Sequence, residues 1–160
     1  MNKSRTGKTV LFAGTFDPFT KGHKSIVDRS LLLFDNVVIA VGLNPDKRTM
    51  YPVEYRIEYI KKVYESEPRV RVECYTGLTT DFAKELGVDA LVRGVRTNKD
   101  FEYEREMADI NHQLSGIETV LLFTEPLYSA LSSSIVRELI HHGKNVDNYL
   151  PLPISSIKNK

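Results

Sequence analysis

The stretch from Gly14 to His23, which reads GTFDPFTKGH, combines residue types that can hold a phosphate at the start of a helix. Gly14 lets the backbone turn without a Cβ in the way, and Pro18 fixes one φ angle and stiffens the loop. Thr15 and the nearby amides face the end of the preceding apolar strand. His23 falls in the first turn of the helical pattern that follows, where free amides and the helix dipole favour an anion. An imidazole there can donate a hydrogen bond to a phosphate oxygen. The alternative is a plain turn with a capping or surface histidine.

Basic side chains mark two further loops. Lys47 and Arg48 lie in the loop GLNPDKRTMYP, which taken alone is a solvated basic loop. Arg93 and Arg96 flank Gly94 in the stretch RGVRTNKDFEYERE, and arginines suit phosphate because each offers planar, paired donors. The same stretch carries three acidic residues that could pair with the arginines instead: Glu102, Glu104 and Glu106. Both interpretations stay open from the sequence.

Three consecutive serines, Ser132 to Ser134, open the helical pattern in the stretch YSALSSSIVRE. Their hydroxyls and the free amides of a helix N-terminus would bind an anion, or the serines would simply cap the helix. The sequence contains neither a Walker loop nor the pattern Gly-x-Gly-x-x-Gly, and no Ser-His-Asp triad or metal-ligand cluster is apparent. We therefore expect a site that holds several phosphates and has little use for a general base.

Strand and helix patterns alternate along the chain. The strand patterns cover residues 10–13, 37–41, 70–75, 90–92 and 120–123. The helical patterns cover residues 24–34, 53–66, 80–86, 101–114 and 132–142. Four strands are apolar without alternation, which is typical of a parallel sheet covered on both faces. These patterns predict an α/β fold, a doubly wound, Rossmann-like five-stranded parallel sheet with helices on both faces. In such a sheet ligands bind beyond the carboxyl ends of the strands, where the loops described above lie.

The composition fits one domain over residues 1–160, with a flexible N-terminal extension over 1–8 and a weakly ordered C-terminal tail over 152–160. The net charge of +1 gives no bulk electrostatic case for binding nucleic acid or a membrane, so an anion site has to be built locally. The longest apolar run, residues 37–41, is too short to cross a bilayer, and the single cysteine excludes an internal disulfide. We expect a cytoplasmic protein.

These motifs resemble the nucleotidyltransferase superfamily with the His-x-Gly-His signature. The signature here reads TKGH, so Thr20 stands where the superfamily has its first histidine. Within the superfamily, the chain is similar to the bacterial phosphopantetheine adenylyltransferase family from about residue 10 to residue 151. The stretches GTFDPFTKGH, RGVRTNKDFEYE and SSSIVRE match family motifs in order and spacing, and the second is the most specific to this branch.

The resemblance implies that the phosphate of 4′-phosphopantetheine attacks the α-phosphorus of ATP, giving dephospho-coenzyme A and pyrophosphate in coenzyme A biosynthesis. A phosphate nucleophile is already anionic, which agrees with the lack of a base. The resemblance also implies Mg²⁺, held mainly by the ATP phosphates and water, and a homohexamer. One alternative is a related transferase that acts on nicotinamide mononucleotide or glycerol 3-phosphate, against which the stretch from Arg93 to Glu104 argues. Another is a nucleotide-binding module without catalysis, against which the combination of His23, Lys47 and Arg96 argues.

The resemblance gives each motif residue an expected role and assigns none as a metal ligand. The catalytic residues would be Thr15, His23, Lys47 and Arg96. The residues that would contact ATP are Thr15, Phe16, His23, Gly94, Val95, Arg96, Glu104, Tyr128, Ser129, Ala130, Leu131, Ser132, Ser133 and Ser134. The residues that would contact phosphopantetheine are Thr15, Lys47, Thr79 and Arg93. Two positions depart from the family pattern: Tyr128 stands where some members carry tryptophan, and Thr79 where some carry a larger apolar residue.

Overall fold

The computed structural model describes residues 7–156, which contain a sheet of five parallel strands. The strands are β1 (Thr9–Gly14), β2 (Asn36–Gly42), β3 (Val70–Tyr75), β4 (Ala90–Val95) and β5 (Glu118–Phe123). Their order in the sheet is β3-β2-β1-β4-β5, and every neighbouring pair is parallel. The predicted doubly wound α/β fold is confirmed.

Within the described residues, four α-helices connect successive strands and a fifth follows β5. They are α1 (Lys21–Ser30), α2 (Val53–Val63), α3 (Thr79–Leu86), α4 (Asn98–Ser115) and α5 (Ser133–His141). Short 3-10 helices occupy Pro126–Tyr128, Asp147–Tyr149 and Ile154–Ser156. Helix α1 begins earlier than the predicted residue 24 because Thr20 caps it, and it ends at Ser30 rather than residue 34. The prediction extended too far because the apolar residues after Ser30 continue the pattern, although Leu32 and Leu33 are exposed.

Side chains of β1 alternate between two cores, one on each face of the sheet. Val10 and Phe12 belong to the core that contains Ile26 of α1 and also residues of α2. Leu11 belongs to the opposite core, together with Ala83 of α3. Because helices cover both faces, strands β1 and β2 bury the side chains of all their middle residues, which explains why these sequences are apolar without alternation.

The winding direction of the chain reverses at β1, because β2 lies on one side of this strand and β4 on the other. At such a switch point the loops after the two diverging strands leave a crevice at the carboxyl edge of the sheet. Gly94 allows α1 to lie close to this edge, since a Cβ at that position would lie 3.1 Å from Cγ1 of Ile26. The first turn of α1 is thereby brought over the crevice.

Segments near both ends of the described chain are held to the fold. The Lys8 N–H donates to Oδ2 of Asp35 over 2.6 Å, so the predicted flexible extension does not include Lys8. The Tyr59 hydroxyl of α2 donates to the Leu152 carbonyl over 2.6 Å, and the 3-10 helix Ile154–Ser156 follows. The chain after residue 151 therefore begins with a packed segment, where we had expected a weakly ordered tail.

The rest of the predicted extension and tail, residues 1–6 and 157–160, lies outside the described residues. Within the described part of the chain, no helix combines the length and the apolar composition needed to span a membrane. The longest helix, α4, has 18 residues and carries acidic and basic side chains along its length.

Candidate active site

A cleft of about 340 Å³ opens at the switch point between β1 and β4. Its walls come from the loops after β1 and β2, the first turn of α1, the end of β4 with the start of α4, and the first turn of α5. The predicted site residues that line the cleft are Thr15, Phe16, His23, Lys47, Arg93, Gly94, Arg96, Glu104, Leu131, Ser132, Ser133 and Ser134. The separate sequence motifs therefore meet in one place.

Buried aromatic rings support the loop after β1 beneath the cleft. Phe16 and Phe19 are 4% and 1% exposed, and the imidazole of His23 stands edge-on to the Phe16 ring with centroids 5.1 Å apart. The Phe16 ring also packs over Gly14, where a Cβ would lie 2.9 Å from the nearest ring carbons. Gly14 is thus required by the close approach of this ring. Phe16 itself has φ 52°, an uncommon conformation for a bulky residue and one that costs free energy.

Thr20 and His23 form reciprocal capping contacts at the start of α1. The Thr20 N–H donates to Nδ1 of His23 over 3.0 Å, and the His23 N–H donates to the Thr20 hydroxyl over 3.4 Å. Because Nδ1 accepts from an amide, the proton of the neutral ring is on Nε2. Burial, together with the charges of Arg93 and Arg96, lowers the pKa of His23 to about 3. Near pH 7 the cleft therefore contains a neutral imidazole whose ring donor is Nε2–H.

Arg93 joins the end of β4 to α4 through a paired contact. Its Nε and Nη2 donate to the two carboxylate oxygens of Glu104, both over 2.9 Å, and its Nη1 donates to the Ala13 carbonyl over 2.6 Å. The Glu104 side chain is only 9% exposed, so the arginine satisfies a carboxylate that is nearly removed from water. The sequence left open whether an arginine pairs with an acidic neighbour, and the structure shows such a pair between Arg93 and Glu104. Three of the five guanidinium N–H groups are used, and two remain for a ligand.

Two further cations reach the cleft from different loops. Arg96 donates from Nε to Oδ2 of Asp100 over 3.2 Å and from Nη1 to the Leu131 carbonyl over 3.3 Å, which ties the β4 loop to the segment before α5. Nζ of Lys47 donates to the Thr15 hydroxyl over 3.3 Å. An ammonium and a hydroxyl at this separation can contact the same phosphate group.

The three serines are all engaged in hydrogen bonds. The Ser132 hydroxyl caps α5 by accepting from the backbone three residues later over 3.2 Å, as the capping alternative predicted. The Ser133 hydroxyl donates to the Pro18 carbonyl over 2.8 Å, and the Ser134 hydroxyl accepts from Arg137 over 3.1 Å. The backbone N–H groups of Ser133 and Ser134 belong to the first turn and have no acceptor within the helix. These amides are the anion donors that α5 can offer to the cleft.

Four predicted nucleotide contacts do not line the cleft: Val95, Tyr128, Ser129 and Ala130. Val95 is 3% exposed and is buried inside the fold. Tyr128 and Ala130 line a separate depression of about 360 Å³ beside the start of α5. The Ser129 hydroxyl donates back to the Pro126 carbonyl over 2.9 Å, closing a local turn.

A second pocket of about 290 Å³ opens beside the cleft, and Arg93 and Glu104 line both. Its walls are largely apolar, with contributions from Leu11, Leu78, Leu91, Met107, Ile110 and Leu114. The predicted residue Thr79 lines this pocket rather than the cleft, and its hydroxyl lies 2.8 Å from that of Tyr75. Arg93 thus stands between a polar, cationic cleft and a neighbouring apolar pocket.

Three charged residues of the cleft were not singled out from the sequence: Asp17, Asp100 and Arg137. Arg137 follows Ser133 by four residues and so lies on the same face of α5, a spacing that could have identified it. Nη1 of Arg137 donates to the Asp17 carbonyl over 2.8 Å. Asp17 gave no comparable signal, because its partners, the N–H groups of Met50 and Tyr51, come from a distant loop. Asp100 follows its partner Arg96 by four residues, a spacing that could also have identified it.

The fold and the cleft define a cytidylyltransferase-like protein, and the pattern that describes this family matches residues 11–139. A phosphopantetheine adenylyltransferase from Bacteroides fragilis is 52% identical over 144 residues, which cover 90% of this chain and 96% of the relative. One from Porphyromonas gingivalis is 54% identical over 142 residues, covering 89% of this chain and 93% of the relative. The chain belongs to the phosphopantetheine adenylyltransferase family, which confirms the resemblance seen in its motifs.

Solved structures agree on the fold. A bifunctional NMN adenylyltransferase/ADP ribose pyrophosphatase from Francisella tularensis, complexed with AMP and a manganese ion, superposes with a TM-score of 0.68 at 16% identity. The match covers 91% of this chain and 45% of that one. A lipopolysaccharide core biosynthesis protein from Thermoplasma volcanium gives a TM-score of 0.55 at 20% identity, over 75% of this chain and 98% of the other. At these identities the likeness concerns the fold alone.

Proposed function

We propose that the chain transfers the adenylyl group of ATP to 4′-phosphopantetheine, forming dephospho-coenzyme A and releasing pyrophosphate, as a step in coenzyme A biosynthesis. The observation that carries this proposal is the shared wall of Arg93 and Glu104 between the cationic cleft and the apolar pocket. A triphosphate suits the cleft, and a long, weakly polar arm that ends in a phosphate suits the pocket with its phosphate near Arg93. ATP and 4′-phosphopantetheine have these two shapes.

The reaction requires alignment and charge stabilisation rather than deprotonation. A phosphate oxygen of the acceptor forms a bond to the α-phosphorus of ATP while the bond from that phosphorus to the bridging oxygen breaks. The oxygen is anionic at neutral pH, so no base is needed. We assign Thr15 and Lys47, whose side-chain atoms lie 3.3 Å apart, to hold the incoming phosphate against the α-phosphate. The ammonium of Lys47 offsets the repulsion between the two anions.

We assign His23 to the ATP phosphates. Negative charge accumulates on the leaving pyrophosphate, and a donor that is already oriented stabilises this charge without reorganisation. The contact between the Thr20 N–H and Nδ1 provides that orientation and keeps the proton on Nε2. Arg96, held by Asp100, would supply positive charge on the same substrate.

We propose Mg²⁺ as the metal, held mainly by the ATP phosphates and water. The carboxylates of the cleft already have partners: Glu104 pairs with Arg93, Asp100 with Arg96, and Asp17 with two backbone amides. Within residues 7–156, no group of three or more histidine, cysteine or acidic side chains could hold a metal ion. This donor set fits a metal that arrives with the nucleotide, where it would neutralise charge on the phosphates.

We also propose that the protein is a cytoplasmic homohexamer. Helix α4 exposes large apolar side chains on the single chain: Phe101, Tyr103, Met107, Ile110 and Leu114. An exposed apolar face of this kind is typical of a surface that another protein covers. Light scattering on the purified chain should give the mass of six chains, and a monomer at micromolar concentration would contradict this assembly.

The function is tested by pyrophosphate release from ATP with one of three acceptors: 4′-phosphopantetheine, nicotinamide mononucleotide or glycerol 3-phosphate. We expect release with the first acceptor only. Release with another acceptor would assign the chain to a different transferase activity, and release with none would leave a nucleotide-binding module. Lys47→Ala should abolish most of the activity, whereas the matched control Arg48→Ala should retain it, because Arg48 does not line the cleft.

A further inference from the structure

Arg56, in the second turn of α2, is a buried cation outside the cleft. It is 3% exposed, and among the described residues no carboxylate forms an ion pair with it. Its guanidinium is instead solvated by backbone carbonyls. Nη1 donates to Thr15 over 2.5 Å and to Gly42 over 3.4 Å, and Nε donates to Tyr51 over 3.1 Å. One side chain therefore binds the loop after β1, the end of β2 and the segment that enters α2.

Asp17 makes the reciprocal contact between the same two loops. Its carboxylate, in a residue only 4% exposed, accepts from the N–H of Met50 over 2.7 Å and from the N–H of Tyr51 over 2.9 Å. Tyr51 is consequently held at both ends, by Asp17 through its N–H and by Arg56 through its carbonyl. Burying a guanidinium and a carboxylate costs free energy, and here both are used to fix two irregular loops to each other.

The two loops that Arg56 and Asp17 connect are those that carry Thr15 and Lys47. These residues meet across the loops with 3.3 Å between the hydroxyl and Nζ, and the exposed Lys47 belongs to a segment without helix or strand. We propose that Arg56 is a positioning residue for adenylyl transfer, which sets the position of Thr15 relative to Lys47 from outside the cleft. This inference rests on the proposed function, in which Thr15 and Lys47 align the incoming phosphate.

The test is a double-mutant cycle on kcat with Arg56→Met and Lys47→Ala, measured by pyrophosphate release at saturating ATP and 4′-phosphopantetheine. A misplacement of about 1 Å costs a reaction about 100-fold, so Arg56→Met should lower kcat by about that factor. If Arg56 acts through the alignment of Lys47, its loss should lower kcat by less than about threefold once Lys47 is already alanine. Equal losses in both backgrounds would overturn the proposal.

Tyr59→Phe is the matched control, because Tyr59 is also a buried α2 side chain that donates to a distant carbonyl, that of Leu152. It should lower the melting temperature and leave kcat within about threefold of the unchanged chain. A general loosening of α2 would lower kcat in this variant too and would count against Arg56 as a positioning residue. If Arg56→Met does not fold, Arg56→Lys replaces it in the cycle, since lysine keeps the charge and loses the paired donors.

Crystal structures of the unliganded chain and of the Arg56 variant separate a failure of this inference from a failure of the proposed function. We expect the Cα atoms of Thr15 and Lys47 to move apart by about 1 Å or more in the variant, whatever reaction the chain catalyses. Unchanged loop positions would overturn the inference even if the transfer is confirmed. Conversely, no pyrophosphate release by the unchanged chain would reject the proposed function while displaced loops would still support the role of Arg56.

Discussion

The backbone N–H of Thr20 donates to Nδ1 of His23 over 3.0 Å, so one imidazole both caps helix α1 and contributes a neutral donor to the cleft. Thr20 occupies the first position of the stretch TKGH, which resembles the His-x-Gly-His signature, and its hydroxyl accepts the His23 N–H in return. From the sequence, a capping histidine and a phosphate-binding histidine were alternatives. The structure shows the capping contact, which keeps the proton of the neutral ring on Nε2, and phosphate binding by this Nε2–H stays a prediction.

His23→Ala should therefore impair both stability and turnover. Loss of the capping contact should lower the free energy of unfolding by about 0.5–2 kcal/mol. Loss of one oriented donor should lower kcat by about 10²–10³-fold, while the KM for ATP rises far less. Steady-state kinetics and denaturant unfolding measure the two effects on the same preparation.

The variant His23→Gln separates the two roles, because glutamine at this position can complete the Thr-x-x-Gln capping box. We expect it to restore most of the lost stability and to leave kcat well below that of the unchanged chain. A histidine that only caps the helix would behave differently, since glutamine would then bring kcat back to within about threefold of normal.

The depressed pKa of His23 makes stability depend on pH in a defined direction. Burial lowers this pKa from its ordinary value of 6.5 to about 3, so between these limits the unfolded chain binds a proton that the folded chain does not. The contribution of the neutral ring is complete above pH 6.5 and is lost as the pH falls toward 3. Within that range, His23 should lower the free energy of unfolding by up to about 1.4 kcal/mol for each unit by which the pH falls. The free energy of unfolding, measured at pH 7.5, 5.5 and 4.5, should fall more steeply with decreasing pH in the unchanged chain than in His23→Gln. A parallel fall in the two proteins would contradict the neutral state of His23.

Arg93→Ala should weaken the binding of 4′-phosphopantetheine more than that of ATP. Two guanidinium N–H groups are left free by Glu104 and Ala13 on a side chain that lines both the cleft and the pocket. A charge-assisted hydrogen bond contributes about 1.5–3 kcal/mol. Calorimetry should show the dissociation constant for 4′-phosphopantetheine rising by about 10–150-fold. Arg71→Ala, which removes an exposed arginine paired with Glu73, is the control and should change neither affinity. An equal rise in the dissociation constants for 4′-phosphopantetheine and ATP would reject the assignment of Arg93 to the phosphopantetheine site.

Much of the fold could be predicted because it depends on local pattern. A strand such as β2 is apolar at five consecutive positions, and this pattern can be recognised even where the connecting loops are predicted wrongly. The four motifs could be assigned to one cleft for the same reason, since parallel strands place their carboxyl ends at one edge. The boundaries of α1 were less accurate because the apolar residues Leu31 to Leu33 mimic a helical continuation.

Several contacts that orient the cleft could not be predicted, because they join residues far apart in the sequence. Arg56 reaches Thr15 across 41 positions, and Arg137 reaches Asp17 across 120. Their geometry depends on how loops of irregular structure meet, for which periodicity gives no information. Glu104 was an intermediate case, since the sequence offered both a paired and a nucleotide-binding role, and its paired geometry with Arg93 became evident only from the distances.

Removal of Mg²⁺ should abolish pyrophosphate release, although the chain alone should bind the metal too weakly for calorimetry to detect. The reason is that Glu104 and Asp100 are already paired with arginines, so the residues described around the cleft offer no free carboxylate pair. Titration of Mg²⁺ into the chain with and without ATP tests this expectation. A stoichiometric site of sub-millimolar affinity in the absence of ATP would show that the protein itself holds the metal.

Arg137→Ala should weaken the productive binding of ATP, although the sequence analysis did not single this residue out. Arg137 lines the cleft and donates to the Asp17 carbonyl and to the Ser134 hydroxyl, which leaves three of its five N–H groups for phosphate oxygens. The kcat/KM for ATP should fall by about 10–150-fold, the equivalent of about 1.5–3 kcal/mol, with the KM for 4′-phosphopantetheine within about threefold of normal. Arg105→Ala, on the exposed side of α4 and outside the cleft, is the control and should leave both parameters unchanged.

Arg137→Lys should recover part of the loss, because it keeps the charge without the paired donors. If Arg137→Ala instead affected both substrates equally and melted early, its contact with Asp17 would be its main contribution, and the phosphate-binding role would be wrong.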